Sequence, residues 1–102
     1  MVQVNGKEYN LRYSENAIEQ IENLIDEPLM GILIKYKGAY RMAHLKAIIA
    51  SGLVNPETGG NIPAQQGMQI ASEWIKEIGY TEATNQALQQ LQDDCPFLFR
   101  VD

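Results

Sequence analysis

At 102 residues, with 8 Lys and Arg against 13 Asp and Glu for a net charge of -5, the chain is sized for one domain and too short for two independent cores. The negative balance repels a phosphate backbone and removes the usual electrostatic footprint of nucleic-acid binders. A single cysteine, Cys95, rules out an internal disulfide framework and points to a cytosolic setting. The opening MVQVNGKEY lacks a basic-then-apolar leader, and no run nears the roughly 18 apolar residues of a membrane span.

Residues 2–13 pattern as a β-hairpin. Val2-Gln3-Val4 and the stretch from Lys7 to Tyr13 flank Asn5-Gly6, a pair that tolerates the positive φ angles of a type I′ turn. That turn sets Val4 opposite Lys7 and Val2 opposite Tyr9, which gathers Val2, Val4, Tyr9, Leu11 and Tyr13 on one face with Lys7 as the single intruder. The other face carries Gln3, Glu8, Asn10 and Arg12. An isolated hairpin is marginal in water, so the hairpin and the helix that follows it need cover from the later helices, and the hairpin's outer edge is open to another chain.

Ser14 follows without a linker and is placed to cap a helix beginning at Glu15. Ala17, Ile18, Ile21, Leu24 and Ile25 recur at helical spacing, and this stripe is expected to bury the strand face, with Glu15, Glu19 and Glu22 toward solvent. Asp26-Glu27-Pro28 ends the helix. Leu29, Ile32, Leu33 and Tyr36 then predict a short second helix, with Lys35 and Lys37 near its C-terminus and Gly38 as a left-handed stop.

A third helix is expected from Tyr40 to Ser51, built on Leu45, Ile48 and Ile49 and closed by Gly52, with Leu53 tucked back against it. Asn55 to Asn61 holds turn-forming residues and no periodicity, so it reads as an exposed loop. Pro63 suits the first turn of a fourth helix, in which Met68, Ala71, Trp74, Ile75 and Ile78 share a face until Gly79, while Gly67 weakens its first turns. Thr81 is placed to cap a fifth, where Ala83, Ala87, Leu88 and Leu91 form a thin stripe suited to close helix packing or an oligomer contact. The chain then breaks at Pro96 into an apolar tail. These segments predict a mainly α fold in one compact domain: a hairpin over 2–13, about five short helices over 15–94, and the tail over 95–102.

No constellation carries chemistry. His44 and Cys95 stand alone without a flanking catalytic signature, His44 reading as a surface or boundary residue and Cys95 as a small buried apolar group. The three or four nitrogen and sulfur ligands of a zinc site are missing, and Asp93-Asp94 reads as solvated charge. Gly59-Gly60 lacks the GxxxxGK[ST] or GxGxxG context of a phosphate loop. Tyr9, Tyr13, Tyr36, Tyr40 and Trp74 have no basic groove beside them for single-stranded nucleic acid. Met30, Met42 and Met68 read as gap-fillers, with an adaptable groove as the lesser alternative. The chain reads as no enzyme, with no catalytic residue, cofactor or metal, and a protein partner is expected. Trp74, Phe97, Leu98 and Phe99 are the candidate contacts.

The run from Asn5 to Glu22 resembles the opening of the small tail assembly chaperones of long-tailed phages and gene transfer agents. In that family a short strand pair ending in Leu-Arg and a Ser or Thr cap leads into a helix ending in Ile-Glu or Leu-Glu, matched here by Leu11-Arg12, Ser14 and Ile21-Glu22. Ile48-Ile49-Ala50-Ser51-Gly52-Leu53 is similar to the family's helix ending in Gly-Leu. The likeness covers about half the chain and departs at the Asn55 to Asn61 loop and at Cys95-Pro96-Phe97. It implies a non-enzymatic factor of the host cytoplasm that binds the tape measure protein and the tail tube protein and assists tail tube assembly, without nucleic acid or membrane. It also implies a family habit of a longer, frameshifted form. Self-association into a homo-oligomer is expected through the open hairpin edge. The alternative is a small structural head-tail connector or completion protein of the virion.

Overall fold

The computed structural model describes residues 2–99; the end of the predicted tail, 100–102, lies outside the described residues. Strands β1 (Val2–Val4) and β2 (Lys7–Leu11) pair antiparallel, with Val2 opposite Tyr9 and Val4 opposite Lys7. Asn5 and Gly6, at φ 52° and 78°, supply the left-handed pair that the turn requires. Val2, Val4 and Tyr13 are buried and Lys7 is exposed, as the register dictates. A third strand, β3 (Leu53–Val54), adds to β2 through Asn10 and Leu11, giving the order β1-β2-β3. Leu53 therefore does more than tuck back. Its pairing fills one side of the hairpin and leaves three-residue β1 as the hairpin's own outer edge.

Helix α1 (Glu15–Ile25) begins where expected, with the Ser14 hydroxyl accepting the Ala17 N–H at 3.2 Å, and stops at left-handed Asp26. It packs on α3 (Met42–Gly52), whereas the hairpin's apolar face is covered by α4 (Ala64–Ile78), to which the turn is tied by an Asn5 Nδ2 hydrogen bond to Glu73 at 3.1 Å. The cover expected from a later helix is thus supplied by α4, with its stripe Ile70, Ala71, Trp74 and Ile75, while the expectation that the α1 stripe shares in burying the strand face is corrected, since α1 packs on α3. Leu24 falls outside the α1 contact and is exposed.

Helix α2 (Leu29–Tyr36) follows Pro28 and ends at left-handed Lys37, one residue before the predicted Gly38 stop. Its first free amide, Leu29 N–H, donates to the Glu22 carboxylate at 2.8 Å, so Glu22 caps a neighbouring helix and is not simply solvated. Tyr40 precedes α3, buried, with its carbonyl accepting the Tyr80 hydroxyl at 2.7 Å. From His44 to Gly52 almost every residue of α3 is buried, because α1, α4 and α5 (Tyr80–Asp94) surround it. Gly67 lies where a Cβ would stand 3.2 Å from both the Cβ and the carbonyl oxygen of Ala50, so the glycine lets α4 approach α3 closely.

Helix α5 starts directly after Gly79, at φ 92°, and not at a Thr81 cap; Thr81 lies inside it and is exposed. Of its expected stripe, Ala83, Ala87 and Leu91 are buried in the core and Leu88 packs against it half-buried. The core runs through Val2, Ile21, Leu29, Leu45, Ile48, Ile49, Leu53, Trp74 and Leu91.

Candidate interaction surface

The C-terminal tail is built on a polar lock. At the β2–α1 corner, Tyr13 N–H donates to Asp94 Oδ2 at 2.8 Å, and the same oxygen accepts Gln90 Nε2 at 3.0 Å. Next to it the buried Cys95 thiol points at the Tyr13 carbonyl, 3.4 Å away. The Tyr13 hydroxyl in turn donates to the Ile48 carbonyl at 2.8 Å, under Gly52, where a Cβ would come within 2.5 Å of the tyrosine ring. One tyrosine thus joins the sheet, α3 and the end of α5. Burial first, and the nearby Asp94 second, raise both the Tyr13 phenol and the Cys95 thiol above their ordinary values of 10.0 and 9.0. A thiol held protonated is a poor nucleophile and metal ligand, which suits Cys95 to anchoring.

Beyond the lock, Pro96 cannot continue α5 and the backbone turns into a short 3-10 helix, Pro96–Leu98, closed by Phe99 N–H donating to the Pro96 carbonyl at 3.0 Å. This turn splits the tail's side chains. Leu98 is half-buried against the core, while Phe97 and Phe99 keep 55% and 37% of their surface exposed. Trp74 is corrected: only 2% exposed, it fills the centre of the core between the hairpin and the helices and offers a partner no surface. Helical spacing assigned it a face without telling how deep that face would lie.

A cleft of about 590 Å³ adjoins the same end of α5, lined by Asn10, Leu11 and Arg12 of the β2 side and Asn85, Gln86, Gln89 and Gln90 of the helix. Amide donors and acceptors with one guanidinium can meet the polar groups of an extended peptide backbone. Gln90 lines the cleft and also bonds Asp94, which joins the cleft to the tail. None of these residues is a candidate contact in the sequence reading. The available signal was the polar face of β2, Asn10 and Arg12, matched to the glutamine-rich face of α5.

His44 lies deeper than the surface or boundary position expected of it. It is buried, with Nε2 3.3 Å from Glu27 Oε2, its ring edge-on to Tyr36 at 5.4 Å, and Nδ1 without a hydrogen-bond partner. Among the described residues no group of three or more His, Cys, Asp or Glu is gathered to hold a metal ion, and no helix is long and apolar enough to cross a membrane. Against protein-family models, curated proteins and solved structures, the chain finds no match.

Proposed function

We propose that this chain is a tail assembly chaperone that holds an apolar segment of a tape measure protein, without catalysis, in the host cytoplasm until the tail tube closes around it. The observation that carries the reading is the outward-facing pair Phe97 and Phe99, held by the Tyr13–Asp94–Cys95 lock on a folded scaffold. Exposed aromatics on an ordered turn supply apolar contact area at little entropic cost, and the amide-lined cleft, linked to the lock through Gln90 and Asp94, suits the polar groups of an extended backbone. The acidic balance of -5 keeps many copies mutually repulsive and in solution when they coat a long client. The sequence likeness in the hairpin and α1 supports the same assignment.

Co-expression with a tape measure protein tests it: the chain raises the soluble yield of that protein and co-elutes with it, and no effect on either refutes the proposal. Mass spectrometry of purified particles separates it from a structural connector, since a chaperone is absent from mature virions and a connector is present.

A further inference from the structure

We propose that the outer face of α2 is a self-association surface that seats α2 of a second copy of this chain antiparallel to it across a two-fold axis. Helix α2 opens Leu29-Met30-Gly31-Ile32-Leu33-Ile34, apolar on every side, and such a helix ordinarily lies inside a structure. Here only one side does. Leu29 and Ile32 are buried, while Met30 and Ile34, one turn apart on the opposite side, are 37% and 65% exposed.

What identifies the occupant is the charge at the two ends of this apolar stretch. Glu22, Asp26 and Glu27 line a groove with Pro28 at its start, and Lys35, Lys37 and Arg41 follow its end, three of the chain's 8 cations. Neither set neutralises the other within the chain: the ion-pair geometry among the described residues is Glu27 with His44, and the Lys35 ammonium lies over the Tyr36 ring at 5.2 Å. A partner of uniform charge matches one end and repels the other. A second copy laid antiparallel brings each cationic end to the other's acidic groove over a helix about 12 Å long, with Met30 and Ile34 at the centre. A parallel arrangement sets like charge on like. A two-sided interface of ordinary size takes roughly 800 Å² from each partner, so this short face predicts a concentration-dependent dimer. The surface is separate from the tail, so its failure leaves the chaperone reading standing, and the converse also holds.

Sedimentation velocity over roughly a hundredfold range of concentration reads the dimer directly. The wild-type chain moves from monomer to dimer. Ile34→Glu, at an exposed position, keeps its circular dichroism and stays monomeric, and Met30→Gln weakens the dimer without added charge. Lys35→Glu with Lys37→Glu weakens it roughly tenfold, as does Asp26→Lys with Glu27→Lys, and mixing these two variants restores pairing. A wild-type chain that stays monomeric throughout, a dimer untouched by Ile34→Glu, or charge variants that fail to rescue each other overturns the proposal.

Discussion

Tyr13 makes three hydrogen bonds to residues distant in the chain, Asp94, Ile48 and Cys95. It was legible as an inward-facing tyrosine from the alternation of β2, but Asp94 and Cys95 sit 81 and 82 residues away, and no local pattern pairs positions so distant. The lock makes two predictions. Asp94→Ala leaves the Tyr13 N–H without its acceptor and lowers unfolding free energy by about 1–3 kcal/mol in urea. The second concerns pH. Because the native Cys95 and Tyr13 pKa values lie above the ordinary 9.0 and 10.0, the unfolded chain releases these protons first. Stability is therefore held below pH 9 and lost as pH rises toward the raised native values. Urea midpoints fall above pH 9, and the fall is shallower in Cys95→Ala. A flat alkaline profile contradicts this account of the lock.

At the scale of elements, the sequence was most readable where one local rule sufficed. Asn5-Gly6 set the hairpin register, Ser14 set the start of α1, and Pro28 and Pro63 set the starts of α2 and α4. Where two elements compete for one partner, periodicity was silent. The hairpin called for cover from the later helices, but periodicity could not tell that α4 supplies it, nor that two residues after α3 pair with β2. The candidate site divided the same way: Phe97 and Phe99 were visible as apolar residues after a helix breaker, whereas the cleft needed β2 and α5 to meet. Trp74 and the tail aromatics give opposite expectations. Trp74→Ala opens the core and costs about 3–5 kcal/mol, while Phe97→Asp with Phe99→Asp stays within roughly 1 kcal/mol of wild type by thermal denaturation. A large loss in the double variant shows that the tail is part of the core.

The whole molecule separates an interior packed around α3 from a surface on which, among the described residues, the exposed large apolar side chains are Leu24, Met30, Ile34, Met42, Phe97 and Phe99, paired on the α2 face and on the C-terminal turn. The α2 face and the C-terminal turn are the two places proposed above for partners. The central claim is that the C-terminal turn holds a client. It is tested most directly by size-exclusion co-elution of purified chain with a tape measure protein, comparing wild type with Phe97→Asp/Phe99→Asp at equal concentration. The account predicts a stable complex with wild type and its loss in the double variant, with the thermal midpoint preserved. A complex that survives the double substitution, or none with the wild-type chain, contradicts it.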